Sequence, residues 1–205
     1  MEALLGPSLL RRSGGSTSTS SALRDARFVL VYCSASWCGP CRQFTPALSS
    51  FFGAAGPRLR AAAVLVSCDR DDAAFRSYWQ HMPASFFALA PDDAAGQALM
   101  HRFGVRGIPA LLVFVAATGT LVTATGVEGL SRDPAGAAFP WVAGGADIAR
   151  RVALRGLAAR PELNGCRGVV EAVVAAPGRL QVALDAPREV VAVKREHVEF
   201  NKEED

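Results

Sequence analysis

The chain has 205 residues; half are hydrophobic and a fifth are charged, which excludes a disordered protein and allows one core plus a small module. The net charge of +3, without a basic stripe, argues against a nucleic-acid partner. The sequence contains no run of about 18 apolar residues, the length that a membrane-spanning helix needs, so we predict no membrane span. Five cysteines, an odd number, do not fit the disulfide framework of a small secreted protein.

The first 22 residues carry Arg11 and Arg12, many Ser and Thr, and one acid, a composition faintly like that of a mitochondrial transit peptide. The apolar pairs Leu4-Leu5 and Leu9-Leu10 fit an edge strand and loop better, and no signal-peptide core is evident. We therefore expect a cytoplasmic protein, with mitochondrial or nuclear localisation as the alternatives. Residues 13–20 are rich in Ser, Thr and Gly and predict a polar loop.

The next hundred residues alternate between buried strands and helices. Pro40 suits the first turn of a helix, Pro46 predicts a kink in it, and Gly104 would close a later helix. The predicted strands are 27–34, 61–67, 110–115 and 120–124. The predicted helices run from Gly39 to about 53, from the Asp69–Asp72 capping region to about Gln80, and over 97–103, with 84–96 irregular.

Beyond residue 125 the pattern changes twice. Residues 126–144 predict a loop and 146–158 a helix. After Arg160-Pro161, short alternating segments predict an antiparallel sheet or small barrel, with strands at 168–174, 179–184, 189–194 and 196–200. Turns are predicted at Pro177-Gly178 and Asp185–Pro187. We expect two domains, 1–157 and 158–205.

The chemistry is concentrated in the Trp37-Cys38-Gly39-Pro40-Cys41 pentapeptide, which follows a buried strand. Two cysteines at this spacing can close a small disulfide ring. The start of a helix favours the thiolate of the first cysteine, because the helix dipole and free N–H groups stabilise negative charge. Cys38 is therefore the predicted nucleophile of disulfide exchange and Cys41 the resolving thiol, with Trp37 flanking them.

Half of a zinc site is the competing interpretation of this pair. Structural zinc sites use four ligands, and no second cysteine pair with similar spacing is present. We therefore predict no metal. Of the other thiols, Cys33 and Cys68 are interpreted as core residues rather than regulatory ones, and Cys166 lies in a Gly-rich turn where Arg167 could lower its pKa.

Ile108-Pro109, after a glycine and before a strand, is a second element and a candidate cis bond. Together these features resemble the thioredoxin fold and, within it, the tryparedoxin and nucleoredoxin branch. Segments similar to that branch are Tyr32–Cys38, Cys41–Pro46, Val66–Asp69, Met82-Pro83, Phe103–Val105, Asp133-Pro134 and Phe139–Trp141. The resemblance covers about residues 1–157.

The resemblance implies a central mixed sheet flanked by helices and a redox-active pair that needs no further cofactor. It implies reduction of protein disulfides, with a nucleoredoxin-like adaptor that senses redox state as the alternative. The implied electron donor is a low-molecular-weight dithiol such as trypanothione, or a reductase, and the implied acceptors are proteins such as peroxidases. We expect a monomer. The predicted substrate contacts are Trp37, Gly39, Pro40, Ile108 and Pro109, the last as the cis proline opposite the cysteines.

Three positions depart from the branch. Gly39 gives the thioredoxin dipeptide instead of Pro-Pro, which loosens the loop. Tyr32 stands where thioredoxins proper carry a buried acid, as it does in the branch. Ala84–Phe87 replaces a segment that usually contains Trp, so substrate contacts there are expected to differ and trypanothione use is less certain.

The C-terminal segment resembles a small SH3-like barrel module. Residues 151–205 contain nine Lys or Arg and nine Asp or Glu, so the module is neutral. A neutral barrel is suited to docking or to stabilisation rather than to binding nucleic acid.

Overall fold

The computed structural model describes residues 1–174 and 179–201. The chain divides into two compact units, Met1–Trp141 and Val142–Asp205. In the described residues, no helix is both long and apolar enough to cross a membrane.

The first unit is built on a seven-stranded mixed sheet. Its strands are β1 Ser8–Arg11, β2 Ser16–Ser18, β3 Phe28–Ser34, β4 Ala61–Ser67, β5 Phe87–Ala88, β6 Ala110–Val115 and β7 Leu121–Thr123, in the order β2-β1-β5-β4-β3-β6-β7. β3 is parallel to β4 and antiparallel to β6. β3 is buried along its whole length, which explains its continuous apolar sequence.

Helices lie on both faces of this sheet. They are α1 Glu2–Leu5, α2 Thr19–Ala22, α3 Gly39–Ala54, α4 Gly56–Leu59, α5 Asp72–Trp79, α6 Ala94–Arg102 and α7 Gly126–Arg132. Alternate residues of β3 point to opposite faces: Tyr32 contacts Phe44 of α3, whereas Cys33 packs in a cluster with Leu99 of α6. This alternation holds α3, which carries the cysteine pair, against the centre of the sheet.

The second unit contains a five-stranded antiparallel sheet. Its strands are β8 Arg151–Leu154, β9 Arg167–Val174, β10 Arg179–Leu184, β11 Val190–Lys194 and β12 Val198–Phe200, in the order β11-β10-β9-β8-β12. Three short 3-10 helices accompany them, at Gly145–Asp147, Pro161–Leu163 and Arg195–His197. Its core includes Val152, Val170 and Val182, each fully buried.

The N-terminal and middle predictions need four corrections. Leu4-Leu5 lies in the helix α1, although Leu9-Leu10 does lie in a strand. The polar loop predicted at 13–20 contains β2, whose Ser-Thr-Ser sequence is mostly exposed and so carries no hydrophobic signal. The segment 84–96 contains β5, and α6 begins before Gln97 because Asp93 caps it through the N–H of Ala95 at 2.8 Å.

Two predictions after residue 125 are wrong. The loop at 126–144 contains α7, which packs against β6. The helix at 146–158 is instead a 3-10 turn followed by β8, and β8 pairs with both β9 and β12. The second compact unit therefore begins at Val142, earlier than the predicted boundary at 157/158. The strands predicted after Gly165 are present, and the turn predicted at Pro177-Gly178 lies outside the described residues.

Candidate redox site

The cysteine pair lies where β3 gives way to α3. Cys38 is the N-cap of α3, and Gly39 and Pro40 form its first turn, where a proline N–H is not needed. Nothing lies within 4 Å of a Cβ built on Gly39, so this position is open to a side chain. Because β3 is held among the inner strands of the sheet, the start of α3 has a fixed position just beyond the C-terminal end of β3.

Cys38 and Cys41 are joined by a disulfide bond, with their Cα atoms 5.2 Å apart. The backbone N–H of Cys41 donates to Sγ of Cys38 at 3.2 Å. Cys38 is 5% exposed and Cys41 is fully buried. Cys38 is therefore the more exposed residue of the two, and its sulfur is the one that receives a helix N–H.

The Ile108–Pro109 peptide bond is cis, as the sequence predicts. The carbonyl oxygen of Ile108 lies 3.6 Å from Sγ of Cys38. The register of the sheet explains this contact, because Ala110 at the start of β6 lies opposite Cys33 at the end of β3. The structure thus brings together two motifs separated by about seventy positions in the sequence.

Trp37 flanks the disulfide and is 56% exposed, one of two large hydrophobic side chains so exposed in the described chain. Its indole N–H donates to the carbonyl of Cys68 at 3.2 Å. This bond fixes a large apolar surface beside Cys38 while leaving it open to solvent.

Asp69 holds the loop between β3 and α3. One of its carboxylate oxygens accepts the N–H and hydroxyl of Ser36, at 2.8 and 2.7 Å, and the other accepts the hydroxyl of Ser67. The guanidinium of Arg42 donates to the carbonyl of Ser36 at 2.6 Å. From the sequence, Asp69 was assigned to a capping region and to a segment similar to the branch, but not to this loop. Its place after β4, the parallel neighbour of β3, was the available signal.

A network of hydroxyl groups lies next to the backbone carbonyl of Cys41. The hydroxyl of Tyr32 donates to the carbonyl of Cys41 at 3.2 Å and contacts the hydroxyl of Thr45 at 2.9 Å. Thr45 in turn contacts the hydroxyl of Tyr78, which contacts that of Ser34. Burial raises the pKa of Tyr32, so its phenol stays neutral. The network positions the first turn of α3 without adding charge.

The other thiols are less suited to exchange. Cys33 is fully buried, and burial raises its pKa to about 12. Cys68 is half-buried, packs against the cluster of Ala35, Cys38 and Cys41, and has its pKa raised by burial and by Asp69. These environments favour the core interpretation of both thiols. Cys166 is half-buried in the second unit, with Sγ 3.8 Å from the carbonyl of Glu162.

Two further observations concern the other sequence hypotheses. In residues 1–174 and 179–201, no three His, Cys, Asp or Glu side chains come together in a way that could hold a metal ion. In the segment 84–87, Phe86 is buried and its ring packs against that of Phe52 at 5.0 Å. Phe86, which lies in the segment that differs from the branch, therefore contributes to the core of the first unit.

Comparison with known proteins identifies the family to which this chain belongs. The profile of a thioredoxin-like family matches residues 25–120. Tryparedoxin of Trypanosoma brucei brucei is 34% identical over 139 residues, covering 67% of this chain and 94% of the relative. The chain belongs to the tryparedoxin and nucleoredoxin branch of the thioredoxin-like family.

Two other relatives show how much of this chain, and how much of each relative, the similarity covers. Nucleoredoxin of Danio rerio is 34% identical over 142 residues, which are 68% of this chain and only 32% of that protein. A solved structure of tryparedoxin II complexed with glutathionylspermidine is 28% identical, with a TM-score of 0.62 over 67% of this chain and 94% of that one. Roughly a third of this chain therefore lies outside each match, and the chain spans about a third of the nucleoredoxin.

Proposed function

We propose that the protein reduces protein disulfides through Cys38 and Cys41, with the pair itself carrying the electrons and no further cofactor. The observation that supports this most directly is the asymmetry of the pair. Cys38 keeps 5% exposure, and its Sγ receives a helix N–H and lies 3.6 Å from the carbonyl oxygen of Ile108, whereas Cys41 is fully buried. Cys38 can therefore react with the substrate disulfide first, and the buried Cys41 can react with the mixed disulfide afterwards.

The proposed reaction has two exchange steps. In the dithiol form, the Cys38 thiolate attacks one sulfur of the substrate disulfide, forming a mixed disulfide and releasing the other substrate sulfur as a thiolate. The Cys41 thiolate then attacks Sγ of Cys38, which forms the Cys38–Cys41 disulfide and releases the second substrate thiolate. The N–H of Cys41 and the N-terminal end of α3 stabilise negative charge on Cys38 between these steps.

The electron donor in this proposal is a low-molecular-weight dithiol. The relative whose structure was solved with glutathionylspermidine, which has one thiol, supports a low-molecular-weight thiol as the donor. We propose a dithiol within that class, because a second thiol on the donor can resolve the mixed disulfide, and a reductase is the alternative. Peroxidases are the proposed acceptors, and we propose a monomer that acts in the cytoplasm. Turnover of insulin disulfides with trypanothione, glutathione or a thioredoxin reductase system as competing donors would rank the three.

Single cysteine variants test the mechanism. We expect Cys38→Ser to lose disulfide reductase activity and Cys41→Ser to stop after one exchange, as a mixed disulfide detectable by non-reducing mass spectrometry. Cys166→Ser, in the second unit, is the matched control and keeps full activity. Multiple turnover by Cys41→Ser would contradict the two-thiol mechanism.

A redox-sensing adaptor is the second candidate, favoured by the presence of a second compact unit and by the third of the chain that the tryparedoxin match leaves uncovered. Here the state of the cysteine pair would control partner docking. The two functions separate in one comparison: an adaptor shows negligible turnover of insulin disulfides but binds its partner in only one redox state.

A further inference from the structure

A groove of about 600 Å³ runs along β11 in the second unit. β11 forms one wall, and the segment Gly156–Arg160 forms the other. Leu157 of that segment, together with Leu163, gives the groove apolar surface. We refer to this surface as the β11 groove. It plays no part in the disulfide exchange proposed above.

The backbone of β11 is open toward this groove. β11 is an end strand of the described sheet. The N–H of Leu184 donates to the carbonyl of Glu189 at 2.9 Å, and the antiparallel register then makes Val191 and Val193 the residues bonded to β10. The N–H and C=O groups of Val190, Ala192 and Lys194 therefore point away from β10. An edge with such groups can accept another extended chain.

The side chains of this edge are unusual for a solvated strand. Val190 is 55% exposed, and Trp37 beside the disulfide is the other large hydrophobic side chain with such exposure in the described residues. Ala192, next along the exposed side, is too small to cover the backbone. The edge is thus apolar at its centre, where the carbonyl of Ala192 accepts the guanidinium of Arg179 and an added strand must displace it.

Positive charge collects at one end of the groove. Arg179 of β10 lies directly opposite Lys194 of β11, an arrangement of like charges that destabilises an antiparallel pair. Lys194 has Glu196 at 3.3 Å, but among the described residues Arg179 has no carboxylate within ion-pair distance. It donates instead to the carbonyl of Ala192 at 3.2 Å. At the other end Arg160 is neutralised by Glu162 and Glu189.

We propose that the β11 groove binds an extended segment of a partner protein, which adds to the sheet as a strand antiparallel to β11. The segment is acidic where it meets Arg179 and Lys194 and apolar where it meets Val190. Main-chain hydrogen bonds supply the affinity in this mode of recognition, and side chains supply the specificity. At about 3.4 Å per residue, the five residues of β11 offer roughly 17 Å of edge.

The test uses the full-length protein and a fluorescently labelled hexapeptide of three glutamates followed by three valines. Fluorescence anisotropy is expected to show saturable binding. The same peptide with lysines in place of the glutamates, or with N-methyl groups on its backbone, is expected to bind at least tenfold more weakly, about 1.4 kcal/mol. Equal binding of the N-methylated peptide would overturn strand addition.

Two variants locate the site. Ala192→Pro removes an N–H that points away from β10, a substitution that edge strands tolerate, and should weaken binding at least tenfold. Arg179→Glu should weaken binding of the glutamate peptide and strengthen that of the lysine peptide, whereas Arg24→Glu in the first unit makes the same charge change and should do neither. Amide signals of residues 142–205 that stay dispersed in NMR spectra, as in the parent protein, establish that the second unit of each variant is folded.

The opposing outcomes are also defined. Absence of saturable binding, or binding that Ala192→Pro and Arg179→Glu leave unchanged, would overturn the proposal. A concentration-dependent dimer that Ala192→Pro abolishes, without peptide binding, would assign the edge to a second copy of the chain instead.

Discussion

At the residue scale, the position at a helix start distinguishes Cys38 from the other thiols, because Cys68 and Cys166 are more exposed than either redox cysteine. Cys38 lies at a helix start with an N–H directed at its sulfur. Cys33, five positions earlier on the adjoining strand, is enclosed by the core and has a pKa of about 12. Reactivity of a thiol follows its thiolate fraction and its access, so neighbouring cysteines in one chain can differ by orders of magnitude.

This contrast predicts an order of alkylation in the reduced, folded protein. Iodoacetamide should label Cys38 first and leave Cys33 unlabelled until the chain is unfolded in denaturant. Cys68, with a raised pKa and partial exposure, should react more slowly than Cys38. Peptide mass spectrometry at successive times measures the order. Labelling of Cys33 at the rate of Cys38 under native conditions would contradict the burial described here.

At the scale of elements, close packing of two glycines positions α7, the helix within the segment 126–144 that was predicted as a loop. In α7 a Cβ on Gly126 would lie 2.5 Å from the carbonyl oxygen of Leu111, and one on Gly129 would lie 2.6 Å from the ring of Trp141. α7 thus lies too close to β6 at Gly126, and to the ring of Trp141 at Gly129, for a side chain at either position. Glycine-rich sequence is typical of loops, which is why this helix was predicted as one.

Two glycines in helices should therefore respond oppositely to alanine. Gly126→Ala must move backbone atoms of β6 and is expected to destabilise the protein by about 1–3 kcal/mol. Gly53→Ala in α3, with nothing within 4 Å, should stabilise it by up to about 1 kcal/mol through helix propensity. Urea denaturation of both variants measures the difference. Equal effects would show that α7 does not pack on β6 as described.

The segment after α7 depends on the carboxylate of Asp133. It accepts the N–H groups of Ala137 and Ala138 and the indole N–H of Trp141. The backbone N–H of Ala138 contributes most to lowering the pKa of Asp133. Because the folded pKa is depressed, the stabilisation is complete above the pKa of an unfolded aspartate and is lost as the pH falls through the folded pKa.

We therefore expect Asp133→Asn to lower the melting temperature more at about pH 7 than at about pH 3. The lower pH lies below the usual pKa of an unfolded aspartate, where the stabilisation by the carboxylate is already partly lost. Asp25→Asn, an exposed aspartate of the same unit, is the matched control. Differential scanning calorimetry at both pH values gives the comparison. A difference between Asp133→Asn and the parent protein that does not change with pH would exclude the carboxylate charge as the cause.

At the scale of the whole molecule, the chain consists of a thioredoxin-like unit and a β unit that begins earlier than its sequence suggests. β8 lies between β9 and β12, so the β unit needs residues 151–154 to connect its sheet. The sequence of β8, Arg-Val-Ala-Leu, is too short to distinguish a strand from a helix. Its pairing partners, which lie later in the chain, decide the matter.

This predicts the behaviour of two fragments. Residues 142–205 should fold, with dispersed amide signals in NMR spectra, whereas 158–205 should not, because its sheet lacks β8 and loses the connection to β12. The full-length protein provides the reference spectrum. A folded 158–205 fragment would show that β8 is dispensable and that the earlier boundary is wrong.

The sequence alone determined the local features: the buried strand β3, the helix start that carries Cys38 and Cys41, the cis bond before Pro109, and the alternating strands of the C-terminal unit. These follow from residue periodicity and from motifs a few residues long. The tertiary structure decided which distant groups meet them, namely Asp69 at the Ser36 loop, Ile108 at Sγ of Cys38, and Tyr78 in the hydroxyl network. It also decided the identity of β2, α7 and β8, because weakly patterned segments take their structure from the surfaces against which they pack.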